Sequence, residues 1–482
     1  MSVSPIGISI PETKIIDFVP EKQKRFAHII PGQPSTYIFS DETSYYKDYQ
    51  SSIFGRTSKK GGWDCMRHYE ILANGCIPWF TDLENCPPGT MTHFPKDIVI
   101  DAMNSETPEL YIPKLLDYTR KNLTCRAMAQ SIFDKVGCPN PTRVLFLGND
   151  STPDYIRCLT LIGMKQILGN RCVDSVHIPH IYEDYPSSSN LYGKGFTYSR
   201  VLPVSSKSAP VHISEVRDGL FDIIVYGSIH RGMPYWEEVK KVYPKEKIVL
   251  LCGEDCDEPN FSHHDSCLGY KFAKEGYNVF IRELESPIVV QIGTNNGNDH
   301  VLDLCKKRYT SAIYLVEPFS IHNNSIQANY KDIPNVIIEN IAITPTAQDS
   351  IELFYTEDDG PQNNVHKSYQ VASIKQEHIV KHDYSPSNIK SINVPAMTIN
   401  DFFAKHNLTT INYLFLDIEG IDFEVLKSID FSKVNIKNLQ IEHLHLDKET
   451  LISYMKERGY SATVGLDVHG FDTMFVKQYP NN

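Results

Sequence analysis

The sequence predicts an α/β protein of several domains built on parallel sheets. Short apolar runs of strand length alternate with amphipathic helical segments through most of the chain, the pattern of repeated strand–helix–strand units. Several runs stop abruptly at a glycine or an acidic residue, as strands do where ligand-binding turns begin. The length of 482 residues allows about three domains of ordinary size. We therefore expect three consecutive α/β units, at residues 1–138, 139–285 and 286–482.

Composition narrows the functional classes. The formal net charge is −12, and basic residues form no more than short lysine pairs, which argues against a nucleic-acid partner. No apolar run reaches the ~20 residues of a membrane span, and the N-terminal residues do not follow the pattern of a signal peptide. The 11 cysteines are scattered and odd in number, which is typical of reduced thiols. These features predict a cytoplasmic protein.

In the first unit, residues 59–87 are the most informative stretch. Two glycines and Asp64 precede a helical pattern that Gly75 can end, so we expect Asp64 to cap the helix. Arg67 and Glu70 then fall in the first turns, where a helix N-terminus favours an anion. Arg67 is a candidate for a phosphate and Glu70 for sugar hydroxyls. The alternative is a surface helix with an i,i+3 ion pair worth about 0.2–0.5 kcal/mol.

The second unit contains strand runs that end in polar turns near residues 148–150, 227–232 and 253–255. Because the carboxyl ends of parallel strands lie at one edge of a sheet, these turns should share a rim. His230 and Arg231 are the most ligand-like side chains on that rim. The alternative is a hydrated loop.

The third unit opens with the turn around which the rest of the chain is organised. Residues 288–292 form a buried strand run, and the following turn carries Gly293 and Gly297 before an amphipathic helix. The third glycine of a dinucleotide-binding fingerprint is missing. Glu317 ends the next apolar run, where an acid can accept hydrogen bonds from two ribose hydroxyls. These features favour S-adenosylmethionine over NAD; an unliganded unit with a coincidental acid is the alternative.

Later strands of the third unit end in acidic residues and histidine. The run at 413–416 is followed by Asp417 and Glu419, and the run at 439–445 contains His443. The ends of these strands should lie beside the glycine turn, which places the three side chains at the predicted ligand site. Residues 356–391 are polar and irregular, which predicts a lid or substrate loop.

Residues 63–83 resemble the donor-binding helix of GT-B and exostosin-like glycosyltransferases. The shared pattern is R-x-x-E-x-L-A-x-G-x-x-P, matched here by Arg67, Glu70, Leu72, Ala73, Gly75 and Pro78. The second unit is similar to the other half of such an enzyme. The resemblance implies that two GT-B-like α/β units precede the third unit, and that Arg67 and Glu70 bind a nucleotide-sugar donor.

Residues 288–477 resemble an FkbM-type S-adenosylmethionine-dependent methyltransferase. The resemblance rests on an ordered series of motifs, QIGTNNGND at 291–299, LVEPF at 315–319, ENIAI at 339–343, MTINDFF at 397–403 and LFLDIEGIDFEVLKSID at 414–430. It implies a Rossmann-like fold for this unit and S-adenosylmethionine as its cofactor.

The matched positions also imply roles for individual residues. The cofactor would be held at its methionine end by Gln291, Gly293, Asn295 and Gly297, at its ribose by Glu317, and near its adenine by Ala342. Two positions depart from the family pattern, because Gln291 stands in place of an acid and Asp422 in place of a glutamate.

Methyl transfer to a hydroxyl benefits from a positioned base and an aligned acceptor. The candidates are Asp417, Glu419 and His443, with Glu419 or His443 as the base and Asp417 as the orienting group. The same three could hold a divalent cation that activates the hydroxyl. The alternative for Glu419 is a capping role at the helix that follows.

Together these features predict an O-methyltransferase acting on a sugar hydroxyl of a glycan or glycoconjugate. The glycosyltransferase-like units motivate that acceptor. Two alternatives remain: a bifunctional enzyme that also transfers sugar from a nucleotide-sugar donor, and a non-catalytic glycan-binding or scaffolding protein. Neither a nucleic-acid partner nor a membrane span is expected.

Overall fold

The structure is a computed structural model that describes residues 3–87, 89–187, 190–253, 265–284, 287–307, 310–333, 335–357, 369–443, 447–467 and 470–478, with the backbone alone for residues 265–267 and 307. The chain forms two compact units, Met1–Glu285 and Ser286–Asn482. From here on they are called the first unit and the second unit, so the second unit corresponds to the third of the three units that the sequence predicts. No helix in these described ranges has both the length and the hydropathy of a membrane span.

The first unit contains the following described strands and helices. In chain order they are β1 (Val3–Pro5), β2 (Lys24–Phe26), α1 (Glu42–Gln50), β3 (Ser52–Arg56), α2 (Met66–Ala73), β4 (Ile77–Trp79), α3 (Lys96–Asn104), α4 (Ile112–Asn122), α5 (Cys125–Lys135), β5 (Val144–Leu147), α6 (Tyr155–Leu168), β6 (Cys172–Ser175), α7 (Ile213–Arg217), β7 (Ile223–Tyr226), α8 (Trp236–Val242), β8 (Ile248–Cys252), α9 (Asp265–Lys274) and β9 (Asn278–Ile281).

A parallel sheet of order β1-β9-β8-β7-β5-β6 forms the centre of the first unit. Strands β5, β7 and β8 are buried apolar runs, as expected for a parallel sheet covered on both faces. The chain changes direction across the sheet between β5 and β7, a switch point where α/β sheets bind ligands. A smaller sheet has the order β2-β3-β4.

The N-terminal strand β1 pairs with β9 and so belongs to the sheet that the later part of this unit builds. A domain boundary at residue 138 stays a prediction, as does the GT-B-like character of this unit. The mixed α/β class with parallel sheets is confirmed.

The second unit contains a further set of described strands and helices. In chain order they are β10 (Ile288–Ile292), α10 (His300–Lys307), β11 (Ala312–Val316), α11 (Asn323–Asn329), β12 (Val336–Glu339), β13 (Ala342–Thr344), β14 (Ser350–Tyr355), α12 (Gln376–Lys381), β15 (Lys390–Thr398), α13 (Ile399–Lys405), β16 (Thr410–Leu416), α14 (Asp422–Ser428), β17 (Asn435–Glu442), α15 (Lys448–Lys456), β18 (Tyr460–Val464) and β19 (Asp472–Lys477).

The main sheet of the second unit has the order β12-β11-β10-β16-β17-β19-β18. Neighbouring strands are parallel from β12 through β11, β10 and β16 to β17. Strand β19 runs antiparallel to both β17 and β18. The last two strands, β18 and β19, therefore form an antiparallel hairpin. The switch point lies between β10 and β16, so the turn after β10 and the acidic turn after β16 are neighbours.

A second sheet of order β13-β15-β14 interrupts the simple alternation of strands and helices. The sequence predicts a single strand over residues 336–343, but the chain leaves the main sheet after β12 and enters the second sheet as β13, where it pairs with β15. The segment predicted as an irregular loop also contains α12 and the start of β15. Residues 358–368 of that segment lie outside the described residues.

Candidate functional site

A cavity of about 340 Å³ lies at the switch point of the second unit. It is lined by the turns that follow β10, β11 and β16, by the end of β17 and by part of the second sheet. Its volume is in the usual range for a small-molecule site. Among the described lining residues are five of the six predicted cofactor positions, Gln291, Gly293, Asn295, Glu317 and Ala342.

The glycine turn brings the two central strands together at this point. Gly293 has a φ of +86°, and a Cβ added there would lie 1.7 Å from the carbonyl oxygen of Asp417. The contact between the two strand ends therefore requires a glycine at position 293. The described lining does not include Gly297, whose backbone approaches Ile326 and Tyr330. Cofactor contact by Gly297 stays a prediction.

Gln291 lies at the end of β10, beside a carboxylate. Its Nε2 donates a hydrogen bond of 2.6 Å to Asp299 Oδ2. Its Oε1 is buried and accepts no hydrogen bond from the described residues. Asp299 also lines the cavity. Asp299 thus supplies the carboxylate that the family pattern has at position 291. The Oε1 atom of Gln291 remains as an acceptor for a hydrogen-bond donor of a ligand.

Glu317 follows β11 and is 5% exposed. Its Oε2 accepts the backbone N–H of Asn295 at 2.7 Å, and its Oε1 accepts the N–H of Phe319 at 3.0 Å. Burial raises the pKa of this carboxyl to about 7, against the lowering effect of those two hydrogen bonds. Each carboxylate oxygen keeps acceptor capacity, so the group has the geometry to bind a pair of hydroxyls.

An apolar and aromatic region lies next to Glu317. Ala342 and its two isoleucine neighbours line the cavity together with Phe319 and Tyr369. The rings of Phe319 and Tyr369 meet edge to face with centroids 5.4 Å apart. A flat, uncharged ring system is the natural occupant of such a region.

The opposite wall of the cavity is acidic. Asp417, Glu419, Glu442 and Asp472 all line it. Limited solvation and mutual repulsion raise the pKa of Glu442 to about 8 and that of Asp472 to about 6. Burial, then the charge of Asp422, raises the pKa of Glu419 to about 8. Asp417 is accessible from the cavity yet surrounded by protein, and its pKa is raised by the same two causes. This wall favours a positively charged ligand group.

The acidic turn that follows β16 departs from extended chain. Glu419 has a φ of +54°, so the segment after β16 bends sharply. Asp422 stabilises the bend, because its carboxylate accepts the N–H groups of Ile418 at 2.8 Å and Gly420 at 3.2 Å. The Glu419 side chain turns to His378, with Oε2 2.7 Å from Nε2. Glu419 does not cap α14, because the N-cap residue is Ile421 and no side chain of the described residues caps this helix, while Asp422 braces the turn that precedes it.

His443 has a different environment from the acidic residues. Its Nδ1 lies 3.1 Å from the hydroxyl of Thr473, and the described cavity lining contains Glu442 but not His443. Successive residues of a strand point to opposite faces, which explains why Glu442 lines the cavity and the next residue, His443, does not. A catalytic role for His443 stays a prediction, as do the roles of Asp417 and Glu419.

Some lining residues were not predicted from the sequence. Glu442 and Asp472 belong to adjacent antiparallel strands and are brought together by a pairing that no local pattern shows. Tyr369 lines the cavity and lies in the segment predicted as a loop, and His378, which is outside the described lining, lies in the same segment. His378 and His382 are four residues apart, with Ile379 and Val380 between them. This spacing could have predicted that the two histidines lie on the same face of a helix.

The first unit has a second cavity, of about 610 Å³, at its own switch point. Residues that follow β5, β7, β8 and β9 line it, so the rim predicted for these strand ends exists. Its basic side chains are Lys60, Arg67, Lys194, Arg231 and Arg282.

Arg67 and Glu70 both line this cavity. Arg67 donates to the hydroxyl of Tyr37 at 3.1 Å, while its Nε is buried and has no hydrogen-bond partner among the described residues. Glu70 accepts the hydroxyls of Tyr45 and Thr197, and burial raises its pKa. The predicted surface ion pair is therefore not what Glu70 forms.

Asp64 does not cap α2 as predicted. The N-cap residue is Cys65, without a side-chain capping bond. Asp64 instead accepts the N–H of Ile8 at 2.6 Å and the hydroxyl of Tyr69 at 2.7 Å. Cys65 and the first two residues of α2 line the cavity, so the amino end of this helix faces it.

Three comparisons with known proteins bear on these cavities. A comparison with curated proteins found no match. A solved structure described as an rRNA methylase from Streptococcus thermophilus is similar at 12% identity, over 40% of this chain and 88% of the other, with a TM-score of 0.21, which is too low to carry an argument. Residues 291–462, which contain most of the residues that line the acidic cavity, match the family model of the methyltransferase FkbM domain, so this part of the chain is supported as such a domain.

Proposed function

We propose that the second unit transfers a methyl group from S-adenosylmethionine to a hydroxyl oxygen of a sugar in a glycan or glycoconjugate. The observation that carries the proposal is the division of one cavity into a hydroxyl-binding carboxylate, Glu317, and an acidic wall after β16 and β17. A sulfonium nucleoside needs both: acceptors for its ribose hydroxyls and negative charge near its cationic centre.

The described residues fit this cofactor at each end. Glu317 presents its carboxylate to the ribose, and Gln291 Oε1 offers an acceptor to an ammonium group. Phe319 and Tyr369 form the aromatic wall for an adenine, beside Ala342. When bound, the cofactor supplies an electrophilic methyl group.

The acidic wall supplies the base. A carboxylate whose pKa is raised toward the working pH is a better proton acceptor than an ordinary one. Glu419 and Glu442 have this property, and both line the cavity. One of them takes the proton of the acceptor hydroxyl at a carboxylate oxygen, while Asp417, next to the strand ends, orients the acceptor.

The sugar class of acceptor rests on two supports. The glycosyltransferase-like motif at residues 63–83 suggests glycan chemistry in the same chain. The cavity also carries several amide side chains, which suit multiple hydroxyl groups: Asn296, Asn298, Gln370 and Gln440.

Calorimetry with S-adenosylmethionine tests the proposal first. Wild-type protein should bind it, and Glu317→Ala should lose the binding while retaining its fold. A folded wild type that does not bind would contradict the proposal and favour a non-catalytic scaffolding function. An acceptor panel tests the sugar class: methylation of small non-sugar hydroxyls with failure of every oligosaccharide would refute it.

A second candidate function is sugar transfer by the first unit, with a nucleotide-sugar donor in the basic cavity. The favouring observation is the buried Arg67 Nε, which has no hydrogen-bond partner among the described residues, beside the amino end of α2. Both features favour a phosphate group. Release of nucleoside diphosphate from a panel of nucleotide sugars, lost in Glu70→Ala, would support it; no release by the wild type would exclude it.

A further inference from the structure

We propose that a divalent transition-metal ion binds between His378, His382 and Glu419, and that it presents an open coordination position to the acceptor oxygen. This inference rests on the proposed methyl transfer, because it assigns a use to one wall of the same cavity. The ligand atoms are one nitrogen of each imidazole and a carboxylate oxygen, all within 4.8 Å of one another.

The distances between these atoms suit ligands around one ion. The Nε2 atoms of His378 and His382 are 3.3 Å apart, and His378 Nε2 is 2.7 Å from Glu419 Oε2. Zinc–imidazole bonds of about 2.0–2.1 Å in tetrahedral geometry place two nitrogens about 3.3 Å apart. Only small side-chain shifts are needed to admit an ion.

The fold holds the three side chains on two elements that are fastened to each other. His378 lies in α12 and His382 follows it directly, one helical turn later. The Ser373 hydroxyl donates to the carbonyl of Glu419 at 2.7 Å, and Lys375 Nζ donates to that of Gly420 at 3.0 Å. These bonds seat the segment that carries the histidines on the acidic turn.

Gly420 lets the imidazole of His378 reach this position. It has a φ of +96°, and a Cβ there would lie 3.0 Å from His378 Nδ1. Glu419 itself adopts the left-handed conformation, which costs a non-glycine residue on the order of 1 kcal/mol. This backbone conformation accompanies the contact of the Glu419 carboxylate with His378.

The donor set selects the class of metal. Imidazole nitrogens suit Zn²⁺, Co²⁺, Fe²⁺ or Ni²⁺, whereas Mg²⁺ and Ca²⁺ prefer oxygen ligands alone. The carboxyl groups of Asp417 and Asp422 lie close enough to Glu419 to interact with it electrostatically and are not needed as ligands. Three protein ligands leave a fourth position, the arrangement of catalytic rather than structural sites.

The open coordination position of the ion would face the cavity. Glu419 lines the cavity, while His378 is 5% exposed and lies behind it. A metal-bound hydroxyl loses its proton more readily than a free one, so the ion would lower the demand on the carboxylate base. This ligand set shares only Glu419 with the set Asp417, Glu419 and His443 that the sequence suggested.

Cobalt titration of the full chain tests the site. Untagged protein is stripped with a chelator and titrated with Co²⁺, while the visible absorption of the ion is recorded. We expect one Co²⁺ per chain, without the charge-transfer band of thiolate ligands. His382→Asn, a change at a partly exposed position, should weaken binding by more than about 100-fold. Glu419→Gln is the second variant, and His443→Asn should bind as the wild type does.

The outcomes separate this site from the proposed function. Absence of Co²⁺ binding in the wild type, or loss in His443→Asn with retention in His382→Asn, overturns the site. S-adenosylmethionine binding by the same metal-free protein is measured in parallel. Cofactor binding without cobalt binding refutes only the metal site; cobalt binding that depends on His382, without cofactor binding, supports the site and refutes methyl transfer.

Discussion

The two cavities of this chain lie at equivalent places in their sheets and have opposite character. Each is at the switch point of a parallel sheet, between β5 and β7 in the first unit and between β10 and β16 in the second. The described lining of the second-unit cavity contains seven acidic side chains and neither lysine nor arginine. The first-unit cavity has five basic side chains against three acidic ones.

This difference separates what a fold provides from what its residues provide. The parallel sheet determines where a ligand can lie, because strand ends and helix starts converge there. The side chains that line each cavity determine the charge of the ligand. We therefore expect a cationic ligand group in the second unit and an anionic one in the first.

The largest effect should come from breaking the switch point of the second unit. Gly293→Ala places a Cβ against the Asp417 carbonyl at a positive φ. We expect the free energy of unfolding of this unit to fall by more than about 4 kcal/mol, as measured by denaturant titration. Binding of uridine diphosphate to the first unit should persist.

Gly470→Ala is the matched control for that change. Gly470 has a φ of +74°, and no heavy atom of the described residues lies within 4 Å of an added Cβ, so only the backbone penalty of about 1–2 kcal/mol applies. Equal losses in the two variants would show that the strand contact at Gly293 is unimportant.

The next effect concerns the basic cavity. Arg67→Gln removes a charge-assisted phosphate contact, so binding of uridine diphosphate should weaken by about 2–3 kcal/mol, roughly 30- to 150-fold. S-adenosylmethionine binding should not change. The control is Arg126→Gln, an exposed arginine that pairs with Glu12 at 3.4 Å. A similar loss in the control would assign the effect to overall charge rather than to the cavity.

A pH series tests the second cavity through Glu317. Its pKa is raised by burial to about 7, and the ionised form is the one that accepts two ribose hydroxyls. Cofactor affinity measured by calorimetry should fall up to about tenfold per pH unit below pH 7 and level off above it. In Glu317→Gln this component should vanish; an unchanged pH profile would contradict the assignment.

In the ligand-free protein, the contribution of Glu317 to the free energy of unfolding depends on pH in the opposite direction. The pKa of Glu317 in the folded chain lies above its ordinary value of 4.5, so the folded state holds the proton more tightly than the unfolded state does. The contribution of Glu317 to stability is complete below about pH 4.5 and is lost as the pH rises through about 7. Thermal unfolding of the wild type and Glu317→Gln between these limits measures it.

The smallest effect should be on discrimination between cofactor and product. The acidic wall attracts the sulfonium of S-adenosylmethionine but not the neutral thioether of S-adenosylhomocysteine. Glu442→Gln should reduce the ratio of the two affinities by on the order of 1 kcal/mol, about fivefold. Glu424→Gln removes the same charge from α14, where Glu424 lies 3.7 Å from Lys375, and should leave the ratio unchanged.

The central strands and their glycine turn could be predicted because their signals are local. The run at 288–292 coincides with β10, and the apolar run before Glu317 is β11. Burial of apolar side chains sets these elements within a short window of sequence. The single strand predicted over 336–343 was wrong, because the change from one sheet to another is decided by pairing partners far along the chain.

For the candidate site too, local features could be predicted from the sequence and contacts between distant segments could not. Strand-end residues such as Glu317 and Asp417 could be placed at the cavity from the sequence, since the end of a parallel strand has a known position in a sheet. Which neighbours those residues meet could not be predicted. The Glu419 side chain turns to His378, 41 residues earlier in the chain, through a left-handed backbone.

By itself, the sequence determined the α/β class, the positions of the central strands along the chain and the motifs of a methyltransferase FkbM domain, because apolar periodicity and turn residues act over a few positions. Only the tertiary structure decided that Glu442 rather than His443 lines the acidic cavity, that Asp299 supplies the charge missing at Gln291, and that two histidines adjoin Glu419. These depend on strand register and on packing between distant segments, where a shift of one residue exchanges the two faces of a strand.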